Sequence, residues 1–249
     1  MRLILSQREI ACRAIIFDKD GTLVDLAALS LSTGRARATA IAELLGPETA
    51  AAWQQAVGLD LARGWLDPDA PLSVAPRREE LLVAAGLFYR LGHPWSRARA
   101  LAQLAYDRAD QLLHSPFGAQ LLPGVAEALA ALAGQGLLLA VATSDRHWRT
   151  EAALTALGVA GHFKALVGAD DVANGKPAPD MVELACQQLG CPPDKAIVVG
   201  DNPVDLEMGR AAGVAAAIGV SSGLNDAARL AELADAVLPS VAALPPLFA

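Results

Sequence analysis

Several short apolar runs in this chain each stop at a cluster of acidic, hydroxyl or lysine side chains. Ala14–Phe17 is followed by Asp18-Lys19-Asp20-Gly21-Thr22, and 137–142 by Thr143-Ser144-Asp145. Phe163–Val167 is followed by a segment with Asp170, Asp171 and Lys176, and 196–199 by Gly200-Asp201-Asn202-Pro203-Val204-Asp205. Runs this short, rich in β-branched residues and bounded by turn formers, read as buried strands. Helical stretches separate them: 124–133 behind Pro123, 146–157 closed by Gly158, 179–189 closed by Gly190, and Pro203–Ala212 closed by Gly213. A further strand is expected over 214–218, a helix near 225–234 and a last short strand over Ala236–Leu238. Strands alternating with helices predict an α/β fold, a parallel sheet with helices on both faces. Ligands bind such sheets beyond the carboxyl ends of the strands, so the polar clusters are expected on one rim.

Between the first two strands the pattern changes. From about 25 to 118 alanine, leucine and arginine dominate, and β-branched runs vanish. The spacing predicts helices over 31–45, ending at Gly46-Pro47, and over 49–57, stopped by Gly58. Two more are expected over 77–91 and 95–113, while 64–76, rich in Pro, Asp and Gly, reads as a loop. Ser115-Pro116-Phe117-Gly118 marks the return of the alternating pattern. The expected organisation is an α/β core domain over 1–25 and 119–249, with a helical domain over 26–118 inserted after the first strand.

The rim residues suit phosphoryl transfer. A carboxylate can attack phosphorus and form an aspartyl-phosphate, but two anions approach one another only with cations between them. Mg²⁺ takes oxygen ligands and is held by one or two carboxylates plus substrate phosphate. A lysine supplies a point charge, a hydroxyl and backbone amides complete the cradle, and a second carboxyl group serves as general acid and base.

Phe17-Asp18-Lys19-Asp20-Gly21-Thr22-Leu23-Val24-Asp25 resembles the first motif of the haloacid dehalogenase superfamily. Ala142-Thr143-Ser144 is similar to the second, Gly175-Lys176-Pro177-Ala178-Pro179-Asp180 to the third, and Gly200-Asp201-Asn202-Pro203-Val204-Asp205 to the fourth. All four stand in the family's order. The resemblance implies a Rossmann-like core, a cap of α-helices after the first motif, and a Mg²⁺-dependent phosphatase. It makes Asp18 the nucleophile and a metal ligand. Asp20 becomes the general acid and base, with its backbone carbonyl on the metal, and Asp201 the second carboxylate ligand. Thr143 and Ser144 are assigned to the phosphoryl oxygens and Lys176 to the charge between nucleophile and phosphate. Asp205 and Asn202 are expected to hold metal-bound water or orient the lysine, and Asp25 to brace its loop. The segment 64–76 is the expected substrate-facing loop of the cap.

The bland readings differ in reach. Thr143, Ser144 and Asp145 could serve as a helix N-cap, and Asp201 with Asp205 as helix-start acids favoured by the dipole. Asp180 is expected in the first turn of its helix, and Asp170 and Asp171 on the surface. Trp53, Trp65 and Trp95 are expected to pack within the helical insert. Its arginines are expected in solvent, with Arg35, Arg37, Arg77 and Arg78 as candidates for a substrate carboxylate.

Composition narrows the partners. A net charge of -7 with no basic run makes nucleic acid and a membrane surface poor partners. Three scattered cysteines, Cys12, Cys186 and Cys191, fit a reducing cytoplasm rather than a disulfide framework. Met1–Leu5 is too short for a signal sequence, and 121–142 is too interrupted by Pro, Gly and Glu to span a membrane. The expected partner is a small phosphorylated molecule, and the expected assembly a monomer or small homo-oligomer.

Within the family, a carboxylate at Asp20 favours phosphoryl transfer over dehalogenation. The absence of lysine between Lys19 and Lys164 speaks against the phosphonate-cleaving branch. The favoured activity is a phosphoric monoester hydrolase similar to phosphoglycolate phosphatase. The alternatives are a phosphomutase of the beta-phosphoglucomutase type, a non-catalytic phospho-ligand binder and a receiver-like signalling protein. Leu26 stands where phosphoglycolate phosphatases often carry serine, and Lys19 replaces an apolar residue.

Overall fold

The computed structural model describes every residue except 6, 7, 68, 69, 76, 114–118, 224 and 226. The chain forms two compact units, Met1–Leu26 with Ala119–Ala249, and Ala27–Gly118. The expected connecting segment at 115–118 lies outside the described residues.

The first unit opens with an antiparallel pair, β1 (Arg2–Leu5) and β2 (Arg8–Ala11), and then β3 (Ala14–Phe17). The second unit carries α1 (Leu26–Leu45), α2 (Pro47–Ala56), β4 (Leu59–Asp60), β5 (Trp65–Leu66), α3 (Pro71–Val74), α4 (Arg77–Arg90) and α5 (Trp95–Leu112). The chain then returns as α6 (Val125–Gly134), β6 (Leu138–Ala142), α7 (His147–Ala156), β7 (Phe163–Val167) and α8 (Asp180–Leu189). It closes with β8 (Ala196–Gly200), α9 (Pro203–Ala212), β9 (Ala216–Val220), α10 (Ala227–Ala231) and β10 (Ala236–Leu238).

The main sheet has the order β10-β9-β8-β3-β6-β7, with every neighbouring pair parallel. The chain runs outward from β3 through β6 to β7, then crosses to the other side of β3 for β8, β9 and β10. The reversal opens a crevice beyond the ends of β3 and β8, where α/β sheets bind ligands. β3 and β8 are buried at every position, which central parallel strands require because helices cover both faces. On one face Met181, Val182, Ala185 and Cys186 of α8 pack with Ala14, Ile16, Ala140, Ala142 and Val198. Each buried branched side chain contributes roughly 1.5–3 kcal/mol of burial free energy.

Local bonds set several boundaries that the sequence pattern placed elsewhere. The β1–β2 pair was not expected, because Arg8 and Glu9 interrupt any apolar alternation. β9 begins at Ala216 rather than Val214. Val214 donates its amide to Gly209 to close α9, and pairing with β8 starts at Ala216 opposite Ile197. α10 is shorter than 225–234, since the Leu233 and Ala234 amides both turn back onto the Leu230 carbonyl. In the insert, α1 starts at Leu26 rather than 31. The expected loop over 64–76 contains β5 and the short α3, whose first residue is Pro71, a favoured helix-opening position. Residues 68, 69 and 76 of that loop lie outside the described residues.

The helical unit has its own core. Trp53, Phe88 and Tyr106 are fully buried, and the Trp53 and Tyr106 rings meet edge to face at 6.3 Å. The expectation of solvated arginines fails at Arg37. It is buried against Glu80 and lies 4.4 Å from the centre of the Tyr106 ring. Arg77 binds Asp107 and Asp110 on α5 at 3.2 and 2.9 Å, so neither side chain is held for a ligand. Trp65 and Trp95 are exposed, although the Trp95 ring meets Tyr89 edge to face at 6.2 Å. Burial raises the Glu80 carboxyl above its ordinary range against the opposing pull of Arg37 and Arg77. Removing one partner of such a pair strands the other charge. Glu80→Ala is therefore expected to destabilise the protein by about 3–5 kcal/mol, read from urea unfolding. The double variant Arg37→Met/Glu80→Leu should recover most of that loss. A Glu80→Ala protein as stable as wild type would show that the pair does not hold this unit.

Candidate active site

β3 pairs with β8 so that Phe17 stands opposite Val199, and with β6 so that Phe17 stands opposite Val141. Asp18, Ala142 and Gly200 therefore stand at one level at the carboxyl ends of these strands. The Asp18 amide donates to the Val199 carbonyl at 2.9 Å, and the Thr143 amide to the Val167 carbonyl at 3.0 Å. These bonds extend the ladders by one residue and fix where the two loops begin.

Past Asp18 the chain folds tightly back. The Leu23 and Val24 amides both donate to the Lys19 carbonyl at 2.9 Å, and the Gly21 amide donates to the Val24 carbonyl at 2.8 Å. Gly21 has φ +84°, and a Cβ there would lie 2.4 Å from an Asp201 carboxylate oxygen. Conformation and space both demand glycine at this position. The Thr22 hydroxyl donates to Asp201 Oδ1 at 3.1 Å, and the Ser222 hydroxyl to the Gly21 carbonyl at 2.8 Å. Loops after β3, β8 and β9 thus brace one another around Asp201.

Asn202 caps α9. Its side chain accepts from the Val204 amide at 3.3 Å, while Asp205 Oδ2 accepts from the Asn202 amide at 3.0 Å. The other oxygen of Asp205 accepts from Lys176 Nζ at 2.7 Å, and the same ammonium donates to Asp18 Oδ1 at 2.5 Å. Asp205 is therefore both a helix-start acid and the anchor of the lysine. A Cβ on Gly200 would come within 2.4 Å of the Asp205 Cβ, so glycine is what lets α9 start this close to β8.

Oxygens of Asp18, Asp201 and Asp205 lie within 4.8 Å of one another, all on buried residues. Burial pushes the Asp18 carboxyl up to about 6, against Lys176, which lowers it, and together with Asp205, which raises it. Asp201 is pushed up to about 8, first by burial and then by Asp18 and Asp205. Burial alone would lower the Lys176 ammonium, but Asp18 and Asp205 outweigh it and hold it above the usual lysine range. Three buried carboxylates facing one lysine form a site short of positive charge. The oxygen donor set fits a hard divalent cation. Because Asp205 has both oxygens engaged, Asp18 and Asp201 are the better-placed pair for it.

The remaining expected residues fall around this centre. Asp20 is half-buried, with Oδ2 2.9 Å from Lys19 Nζ; burial raises its carboxyl, Lys19 pulls it back, and Asp18 raises it further. Thr143 is buried, and its hydroxyl accepts from the Asp145 amide at 3.1 Å, while Ser144 is exposed on the rim. Asp180 begins α8 and accepts from the Asn174 side chain at 3.1 Å. Asp170 and Asp171 are exposed as expected; Asp171 also accepts from the Gly168 amide at 2.8 Å and meets His147 Nδ1 at 2.6 Å.

A haloacid dehalogenase-like hydrolase family matches residues 12–213. The chain belongs to that family. Over 212 residues, 85% of this chain and 82% of the relative, it is 36% identical to "Probable phosphatase IndB" of Dickeya dadantii. It is 33% identical over 202 residues to a phosphoglycolate phosphatase of Rhodospirillum rubrum, covering 81% of this chain and 77% of that one. A solved "putative beta-phosphoglucomutase" of Thermotoga maritima superposes with a TM-score of 0.66 at 26% identity, covering 94% of this chain and 97% of that one. The family enzyme expected from the four motifs is thus the one found, with the six-stranded parallel sheet that the alternating pattern predicted. Among the described residues, no helix is long and apolar enough to cross a membrane.

Lys19, Asp145, Thr22 and Ser222, which the motifs give no role in the site, all brace it. Lys19 is 4% exposed and binds Asp20 and, at 3.1 Å, Asp145 Oδ2. A charged residue inside a buried run was the signal that could have marked it. Asp145 does not cap α7, whose N-cap is Arg146. Gly219-Val220-Ser221-Ser222-Gly223 also spells the G-x-S-x-G pattern of serine hydrolases. Its central Ser221 hydroxyl donates to the Leu238 carbonyl at 3.5 Å, and neither serine is hydrogen-bonded to a histidine among the described residues. A serine nucleophile needs such a base within reach.

Proposed function

We propose that this hydrolase is a Mg²⁺-dependent phosphatase of small phosphate monoesters, similar in activity to phosphoglycolate phosphatases, working through an aspartyl-phosphate on Asp18. The observation that carries the reading is the Asp18–Lys176–Asp205 chain beside Asp201: a buried carboxylate held by a lysine that a second carboxylate holds in turn. The chain's likeness over most of its length to a phosphoglycolate phosphatase supports the substrate class.

In this reading an Asp18 carboxylate oxygen attacks phosphorus, and the bond from phosphorus to the ester oxygen breaks. Lys176 offsets the charge shared by the nucleophile and the phosphoryl group. The Thr143 hydroxyl and the Ser144 amide bind phosphoryl oxygens. Asp20 gives its proton to the departing alkoxide, then takes a proton from the water that attacks the aspartyl-phosphate, releasing phosphate and restoring Asp18. Asp18, Asp201 and the Asp20 backbone carbonyl would hold the cation, while Asp205 and Asn202 would orient the lysine and water beside the cation. Bound there, Mg²⁺ supplies positive charge to the phosphoryl oxygens. The helical unit is assigned the role of a cap that sets substrate specificity.

The test is release of inorganic phosphate from a panel of phosphoglycolate, sugar phosphates, nucleotides and a chromogenic ester. A small monoester is expected to be the best substrate, and no release from any ester would overturn the reading. Asp20→Asn is expected to slow turnover by about 10²–10⁴-fold, with a burst of the leaving alcohol wherever hydrolysis of the intermediate becomes limiting. An unchanged kcat would remove Asp20 from the acid/base role. The similarity to the Thermotoga maritima protein supports a second reading, a phosphomutase. Conversion of beta-glucose 1-phosphate to glucose 6-phosphate without release of phosphate would favour it.

A further inference from the structure

Lys19 is a buried cation of the β3 loop, and its ammonium is bonded to Asp20 and Asp145 rather than to Asp18. Its ammonium lies 2.9 Å from Asp20 Oδ2 and donates to Asp145 Oδ2 at 3.1 Å. Asp145 is itself fixed. Its amide donates to the Thr143 hydroxyl at 3.1 Å, its Oδ1 accepts from the Arg146 amide at 2.8 Å, and its carbonyl accepts from Ala169. The Arg149 guanidinium stands 3.3 Å from the same Oδ2 that Lys19 binds. The result is a run of alternating charge, Asp20–Lys19–Asp145–Arg149, from the β3 loop to the first turn of α7. One oxygen of the Asp20 carboxyl is clamped, and the other is buried with no protein hydrogen bond among the described residues.

We propose that Lys19, anchored by Asp145, is a positioning residue for the general acid and base: it clamps one oxygen of Asp20 so that the other is presented to the leaving group. This rests on the acid/base role given to Asp20 above. A carboxyl on a tight turn can otherwise rotate about two side-chain bonds. A displacement of about 1 Å from productive geometry can cost on the order of 10²-fold in rate. The step served is the transfer of the Asp20 proton to the bridging oxygen as the P–O bond breaks and the bond from Asp18 to phosphorus forms. The clamp also ties the loop after β3 to the loop after β6, which carries Thr143.

The proposal separates by leaving group. An alkoxide departing from a simple alkyl phosphate needs the proton, whereas p-nitrophenolate leaves well without it. kcat/KM reports only the steps through departure of the alcohol, so later hydrolysis of the intermediate does not obscure it. For Lys19→Gln the alkyl-to-aryl ratio of kcat/KM is expected to fall by about 10²-fold. Asp145→Asn should lower it in the same sense by a smaller factor, and Lys19→Arg should restore part of it. In an Asp20→Asn background, Lys19→Gln should change the ratio no further, since the group being positioned is gone. Asp145→Asn carries the test if Lys19→Gln does not fold, as judged by its thermal unfolding. Equal losses on both esters, or full additivity with Asp20→Asn, would overturn the positioning role. If Asp20→Asn itself fails to discriminate between the esters, the acid/base assignment falls and the proposal with it.

Discussion

Asp18→Asn is expected to abolish phosphate release, by at least about 10⁴-fold in kcat, the scale seen when a covalent nucleophile is removed. An amide oxygen is a poor nucleophile towards phosphorus, and no neighbouring group replaces it. Lys176 keeps Asp205 as its partner, and Asp205 keeps its bond to the Asn202 amide, so neither is left unpaired. The substitution also removes one negative charge from a trio whose carboxyls burial raises first, with Asp205 adding to the rise at Asp18, and Asp18 and Asp205 adding to it at Asp201. The variant should therefore fold, with a thermal midpoint no lower than that of the metal-free wild type. Phosphate release from the preferred ester, measured beside the unfolding curve, checks both halves. Full activity in a folded Asp18→Asn protein would move the nucleophile elsewhere.

Stripping divalent cations with a chelator is expected to lower activity to background, and excess Mg²⁺ to restore it. The reasoning is electrostatic. Asp18, Asp201 and Asp205 crowd within 4.8 Å in a buried setting, with Lys176 the one ammonium bonded to them among the described residues. A phosphomonoester would bring roughly two more negative charges to that point. Without a cation the approach of substrate is opposed by charges in a medium that screens them poorly. A divalent cation held by Asp18 and Asp201 would remove that opposition. Activity measured across a Mg²⁺ titration, after dialysis against chelator, checks this, and undiminished turnover in excess chelator would end the metal-dependent reading.

Much of the rim was legible in the sequence because it derives from periodicity. Ala14–Phe17 and 196–199 are apolar at every position, which in a chain of alternating helices means central parallel strands, and the residues just past the ends of such strands lie on the ligand-binding edge. Glycine carried a second signal. Gly21 and Gly200 sit where any side chain would strike Asp201 or Asp205, so their presence beside the acids marks close approach rather than a generic turn. Arg37 was misread because one position in an Ala-rich helix looks like another. Its burial depends on Glu80, 43 residues away, and on the face of Tyr106. The β1–β2 pair was missed because Arg8 and Glu9 break the apolar pattern of β2, which only its cross-strand bonds to β1 hold in place.

Sequence alone determined the α/β class, the order of the four motifs, the helical insert and the identity of the acids, hydroxyl and lysine at the strand ends. These depend on local spacing and on which residues end each buried run. Tertiary structure decided the partners. Strand order placed β8 beside β3, so residues more than 180 positions apart in the chain, Asp18 and Asp201, became neighbours. It gave Lys176 to Asp18 and Asp205 together, and it turned Lys19 from a departure at an apolar position into a bridge between Asp20 and Asp145. Charges act through distance and burial, and neither is fixed until strands from distant parts of the chain lie side by side.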